Sequence, residues 1–264
     1  MFAEYTLVEL IWIGLAILML SMSKGGFPVG SIALPLLILV WPDQATSARS
    51  AVAFMLPVLC AMDVVALLVY RRHVQWRRLI RLWPATLVGV AIGSLLFVSD
   101  ESALIALSDR ALKLCIGILG LCFVLYHAAR KWIFAHLTEA TQPGWTASSA
   151  FGVGAGLTST LAHAAGPLIQ MYLLPQKLPK LQFAGTLAAY FFALNLVKIL
   201  PFAVLGRIET RNLALGGALL PLVPLGVGLG YLLVRLMKSR HYTGFIYGVL
   251  FVTSLILIVK AILA

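Results

Sequence analysis

Four ionisable side chains stand where an apolar sequence has little use for charge: Lys24, Asp63, His163 and Lys198. Lys24 follows Ser21 and Ser23 and precedes Gly25-Gly26. His163 closes the run Gly156-Leu157-Thr158-Ser159-Thr160-Leu161-Ala162-His163. A cation among hydroxyls and small residues, beside backbone amides that a kink exposes, suits a small anion. With a free pKa near ~6.5, His163 suits a proton relay or a pH-sensitive anion ligand. Asp63 and Lys198 interrupt long apolar runs, in Cys60-Ala61-Met62-Asp63 and Asn195-Leu196-Val197-Lys198. An ionisable residue inside a membrane costs at least ~2.5 kcal/mol on insertion scales and is expected to face a partner or a cavity.

Each of these residues also has a plainer reading. Lys24 at an interface would snorkel to water. His163 could be a hydrogen-bonded core histidine, and Asp63 with Lys198 could form a buried ion pair rather than bind an anion and couple protons. Asn195, one helical turn before Lys198, adds donors to the same face. The candidate substrate-binding set is therefore Ser21, Ser23, Lys24, Gly25, Gly26, Thr158, Ser159, His163, Asn195 and Lys198, with Asp63 and His163 for proton coupling. Ser159 and His163 at i, i+4 also suggest a hydrolase pair, but the one intramembrane acid, Asp63, does not complete a nucleophile, base and acid set. Cys60, Cys115 and Cys122 lie in apolar segments without metal-ligand spacing and read as small buried hydrophobes, so neither metal nor cofactor is expected.

The elements that must position these residues are membrane helices. Of 264 residues, 61% are hydrophobic and 11% charged, a surplus of apolar surface that a water-soluble core cannot absorb. No Asp, Glu, Lys or Arg occurs in 82–99, 212–234 or 241–259, and only Asp63 interrupts 50–70. Stretches of about 18 or more apolar residues are long enough to cross a bilayer. The first apolar segment lacks a basic lead and a cleavage site and reads as a retained helix rather than a signal peptide. The net charge of +11 resides in short loops, where Lys and Arg set membrane orientation, and this argues against nucleic-acid binding.

Comparison of the chain with itself reveals a duplication. Leu82-Trp83-Pro84, Gly89, Gly93, Leu95-Leu96 matches Leu219-Leu220-Pro221, Gly226, Gly230, Leu232-Leu233, with the same Pro-Gly-Gly spacing. Ala48-Arg49-Ser50 resembles Ala184-Gly185-Thr186, and Ser23 to Pro28 resembles Ala162 to Pro167, at nearly the same offset. Lys24 then corresponds to His163, and Asp63 to Lys198. The expected fold is an all-α polytopic membrane protein of two five-segment inverted repeats, 1–135 and 136–264. The ten apolar segments are 5–22, 28–41, 50–70, 82–98, 111–129, 146–162, 167–176, 183–205, 213–235 and 242–262. Inverted halves with Arg71, Arg72, Arg77, Arg78 and Arg81 inside gather most loop cations on the cytoplasmic side, so the positive-inside rule favours inversion and periplasmic termini.

The second segment of each half is too short for a straight crossing and follows a kink of Gly or Ala ending in Pro. Short or Gly/Pro-interrupted segments at matching places in two halves point to a transporter's substrate site, because broken helices leave N–H groups free and their N-termini favour anions. Ordinary kinked helices with small residues for packing are the alternative. Each half is thus expected to carry an interrupted or re-entrant hairpin.

Taken in order, Lys24-Gly25-Gly26-Phe27-Pro28-Val29-Gly30, Asp63 before Tyr70-Arg71-Arg72, Thr158 to His163 with Gly166-Pro167, and Asn195 to Lys198 before Pro201 resemble the sulfite exporter TauE/SafE family. The resemblance spans nearly the whole chain. It implies a multi-pass permease of the bacterial inner membrane for small inorganic or organic sulfur anions such as sulfite or organosulfonates, moved with protons or down a gradient by alternating access. The second kink departs from the first, with Ala164-Ala165 in place of Gly25-Gly26. The expected partners are the sulfur anion, protons and the lipid bilayer, with a homodimer as one assembly open to it. A passive anion channel is the alternative function. A membrane-embedded enzyme lacks its acid, and an assembly factor would bind no solute.

Overall fold

The computed structural model describes residues 5–24, 29–96, 108–133, 142–208, 210–236 and 239–263. In chain order the helices are α1 (Leu7–Lys24), α2 (Gly30–Val40), α3 (Ser47–Tyr70), α4 (Trp76–Leu79), α5 (Trp83–Leu96), α6 (Asp109–Ile133), α7 (Trp145–Ala162), α8 (Gly166–Leu173), α9 (Lys180–Val204), α10 (Thr210–Leu219), α11 (Leu222–Leu236) and α12 (Ser239–Leu263). Short 3-10 turns follow α3 and α8, and no strand occurs among the described residues. Apolar chain that must satisfy its own N–H and C=O groups in lipid has few alternatives to helix.

Each of the ten apolar segments falls on helix, with one difference. The segment expected over 213–235 is two helices, bent by 52° between Asn212–Leu219 and Leu222–Gly230. Pro221 sits in the gap, where it cannot donate to the carbonyl of Gly217 and its ring crowds that carbonyl. By length and composition, three helices among the described residues can cross a membrane, within Leu7–Lys24, Ser47–Leu68 and Leu181–Val204. Counting the bent pair as one span makes four. Their outward faces carry Leu68, Leu196, Leu200 and Val204, exposed large hydrophobics that suit lipid rather than water.

The chain divides into two compact units. The first comprises Met1–Val58, Ser108–Val124 and Gly206–Ala264; the second comprises Leu59–Leu107 and Leu125–Leu205. This is a different division from the repeats at 1–135 and 136–264, because each unit takes helices from both.

In the first unit α1 packs on α2 and α11, and α2 also meets α12. Gly226 and Gly230 of α11 face Ser21, Leu18 and Met22 of α1 so closely that a Cβ on Gly230 would strike the Met22 carbonyl. The start of α3 is held by a side chain from α6: the Asp109 carboxylate accepts from the backbone N–H groups of Ala48 (3.4 Å) and Arg49 (3.0 Å). It thus serves two of the donors that every helix N-terminus leaves unsatisfied. Lys113 Nζ braces that carboxylate at 3.1 Å and donates to the Gln44 carbonyl at 2.6 Å. In the preceding loop, the Thr46 hydroxyl and the Ala45 N–H donate to Asp43 and hold its carboxyl below the usual range.

In the second unit the dominant pair is α5 on α7. Gly89 and Gly93 of α5 meet Val153, Leu157 and Thr160, while Gly152 and Gly156 of α7 meet the carbonyls of Leu82 and Thr86. Small residues on both helices let the backbones approach, which is how helices associate where lipid removes the hydrophobic drive. Across from this seam, buried Tyr190 of α9 shares a 3.0 Å hydrogen bond with Thr86 and packs its ring on Trp83. The core around it contains Ala155, Ile169, Leu173, Ala189 and Leu194.

Candidate functional site

The break between α7 and α8 follows from its residues. Pro167 has no N–H to offer the carbonyl of residue 163, and its ring clashes with that carbonyl, so α7 has to end at about His163. His163 closes it in the left-handed conformation, φ 49° and ψ 31°. Its N–H donates to the Ser159 carbonyl at 2.9 Å, and the Ala164 N–H to the Thr158 carbonyl at 3.2 Å. Glycine usually fills such a C-cap, because a side chain there carries strain. A histidine held in that conformation marks a place where the backbone serves the position of a side chain.

That side chain meets a buried lysine. Lys198, on α9 and 0% exposed, donates through Nζ to the Ser159 carbonyl at 3.0 Å and the Ser159 hydroxyl at 2.9 Å, and lies 2.9 Å from Nδ1 of His163. With Lys198 as an ammonium, which can only donate, the ring nitrogen that faces it is the acceptor and the imidazole is neutral. The ammonium sits at the C-terminal end of α7, where the helix dipole and the last carbonyls favour a cation. One turn earlier on α9, Asn195 donates through Nδ2 to Oδ2 of Asp63 at 2.6 Å. Asp63 is likewise 0% exposed and Asn195 is buried. The second unit thus brings Asp63, Ser159, His163, Asn195 and Lys198 together on α3, α7 and α9.

Other candidates are placed differently. Thr158 directs its hydroxyl to the Gly154 carbonyl at 2.7 Å, within its own helix. In the first unit, Ser21 and Ser23 do the same toward the carbonyls of Ile17 (2.7 Å) and Leu20 (2.6 Å). These hydroxyl hydrogens serve the backbone in this conformation, a common use for Ser and Thr in helices. Lys24 is the last residue of α1, the position that His163 follows at the end of α7, and it too precedes a proline by four residues. Gly25 and Gly26 lie outside the described residues.

The α8 N-terminus begins at Gly166, where a Cβ would meet nothing within 4 Å, so the space beside its backbone is open. First-turn N–H groups of a helix lack partners within it and favour negative charge. No group of three or more His, Cys, Asp or Glu residues that could hold a metal occurs among the described residues.

The sequence profile of the family Sulfite exporter TauE/SafE matches residues 10–257. The chain belongs to this family. Membership makes it a membrane transport protein of the sulfite exporter class rather than an enzyme, in agreement with its apolar helices. Neither a curated protein nor a solved structure matches the chain. The match covers α1 from residue 10 through most of α12, and so includes both helix ends at which the candidate residues gather.

Sequence reasoning missed two features of the site. One is the backbone carbonyl of Ser159, which accepts from both the His163 N–H and Lys198. The other is Tyr190, which ties α9 to α5 below the cluster. Carbonyls carry no sequence signal at all. Tyr190 is signalled only as a polar aromatic in an apolar run, five residues before Asn195.

Proposed function

We propose that the protein is a secondary transporter of small sulfur oxyanions, sulfite or a sulfonate, working by alternating access in the bacterial inner membrane with both termini periplasmic. The observation that carries this reading is the contact of buried Lys198 with buried Ser159 and half-buried His163 at the α7–α8 break. A full positive charge in an apolar helix is expensive unless it serves binding or coupling. Here it adjoins a titratable imidazole three residues before α8 begins, and the two groups offer an oxyanion charge, hydrogen-bond donors and a proton.

Proton linkage is part of the same reading. When His163 takes a proton, Nδ1 changes from acceptor to donor and can no longer receive from Lys198. Two cationic groups then face the break, and an arriving anion relieves their repulsion. Asp63, held through Asn195 one turn away on α9, is the counter-charge for the state without anion. In the sequence, Ser21, Ser23 and Lys24 with Gly25 and Gly26 are the corresponding group of the first half. This correspondence rests on the duplicated Pro-Gly-Gly motif, whose glycines press against α7 in the second unit and α1 in the first. The loop arginines between α3 and α5 support a cytoplasmic position for that side under the positive-inside rule.

The test is a thermal-shift screen of the detergent-solubilised protein against sulfite, sulfate, thiosulfate, taurine and sulfoacetate. A ligand that binds only the folded state raises the apparent melting temperature, by an amount that grows with ligand concentration. The reading expects at least one sulfur anion to stabilise the wild type and not Lys198→Ala. Equal stabilisation of both would remove Lys198 from the site.

A further inference from the structure

A cavity of about 480 Å³ opens in the second unit, lined among others by Gln75, Arg77, Arg78, Arg81, Tyr172 and Gln176. None of its lining residues is acidic. Loop arginines that only orient a membrane protein need to reach water; they need no walls. These have walls. Arg81 donates through Nη1 to the Pro143 carbonyl at 3.3 Å, and its guanidinium lies 5.6 Å from the centroid of the Trp145 ring. The Tyr172 hydroxyl donates to the Arg78 carbonyl at 3.2 Å and receives from Ser148 at 3.3 Å. Buried Gln176 donates to the Tyr172 carbonyl at 2.9 Å. The floor of the cavity is therefore fixed by hydrogen bonds, and one of its guanidinium groups is held in place by a carbonyl and an aromatic face.

We propose that this pocket binds a phosphate-class oxyanion, whose source is either the phosphodiester of an anionic phospholipid or a free inorganic anion. The planar fork of a guanidinium matches two oxygens of a tetrahedral oxyanion at once. Basic pockets between transmembrane helices at the membrane surface are the form that anionic headgroup sites take. The surroundings favour the lipid source. Trp76, Ile80 and Trp145 are 55%, 59% and 60% exposed and adjoin the pocket arginines in sequence or in space, giving the indole and aliphatic surface found where a protein meets the bilayer boundary. The pocket is also larger than a free inorganic anion fills, leaving room for the glycerol portion of a headgroup.

The experiment titrates the full-length protein in detergent with phosphatidylglycerol, with phosphatidylcholine and, separately, with inorganic phosphate, reading the apparent melting temperature. Stabilisation by phosphatidylglycerol beyond that by phosphatidylcholine supports the site and identifies the lipid source; stabilisation by phosphate supports it and identifies the free anion. In Arg77→Gln/Arg81→Gln the half-maximal concentration is expected to rise about fivefold for each arginine removed. Arg77→Gln alone, at an exposed side chain, gives the same reading as a rise of about fivefold should the double variant fail to fold. Stabilisation that survives these substitutions unchanged, or a wild type indifferent to both probes, overturns the proposal.

Discussion

Lys198 Nζ and His163 Nδ1 lie 2.9 Å apart, the one on α9 and the other at the left-handed end of α7. With Lys198 charged, this contact requires a neutral imidazole, because an ammonium can only donate. His163 should therefore be protonated on Nε2 in the state described here. Nitrogen NMR of labelled histidine at pH above ~7.5, where a free imidazole is neutral, would show that tautomer. An Nδ1–H signal for this residue would contradict the geometry.

The same contact makes a prediction about pH. In His163→Gln an amide oxygen can still accept from Lys198, but nothing titrates near neutrality. Anion flux in this variant should lose the part of its pH dependence that titration of the His163 imidazole gives the wild type. A pH profile that coincides with that of the wild type would assign the titrating group elsewhere.

Asp63 and Asn195 call for a pair of substitutions. Asp63→Asn keeps an acceptor for Asn195 Nδ2 and removes the charge, so the melting temperature should stay close to that of the wild type while proton-linked transport falls. Asp63→Leu leaves the buried Asn195 amide without this acceptor, a loss of about 1–3 kcal/mol. Equal destabilisation by both substitutions would show that the charge, not the hydrogen bond, holds this place in the fold.

The glycine seams predict a sharp positional contrast. Gly89→Ala and Gly230→Ala drive a methyl into the backbone carbonyls of Val153 and Met22, which cannot move without parting the helices. Each should cost about 1–3 kcal/mol, the range seen for overpacking. Gly217→Ala and Gly228→Ala meet nothing within 4 Å and should be neutral or stabilising by up to about 1 kcal/mol, since alanine is the better helix former. Thermal unfolding in detergent separates the two pairs.

Asp109 offers a test away from the candidate site. Asp109→Ala removes the acceptor for the first-turn N–H groups of α3 and should cost about 1 kcal/mol, as helix caps do. Anion affinity should be unaffected.

Much of this arrangement is legible in the residues, and the reasons are physical. Apolar runs become helices because lipid leaves the backbone no other partner. Pro167 announces the break before α8 because its ring cannot follow the carbonyl of His163. The doubled Pro-Gly-Gly spacing marks the close-packed seams, since only glycine lets a backbone carbonyl approach so near. What each seam packs against is not legible. Gly89 and Gly93 meet α7, and Gly226 and Gly230 meet α1, but a glycine carries no mark of its partner. The compact units accordingly mix the two halves of the chain, a division that no local pattern encodes. The bend at Leu220–Pro221 escaped notice because the apolar run continues through it, although the proline was in plain view. Of the candidate residues, Asp63, Ser159, His163, Asn195 and Lys198 converge because they are polar where nothing else is. The hydroxyls of Ser21, Ser23 and Thr158 turn to their own helices instead, a choice that depends on rotamer and neighbours rather than on spacing. The arginines between α3 and α5 carry an orientation signal in sequence; the cavity they line depends on Tyr172 and Gln176, which lie about 100 residues away.

The central claim is that Lys198 is the cation that receives the transported anion. Its most direct test is sulfite uptake into proteoliposomes under an imposed pH gradient, comparing wild type with Lys198→Met, which keeps the length of the side chain and removes its charge. The account predicts saturable, gradient-dependent uptake by the wild type and, at equal reconstitution and an unchanged helical spectrum, loss of uptake in Lys198→Met. Undiminished sulfite uptake by a folded Lys198→Met would contradict it.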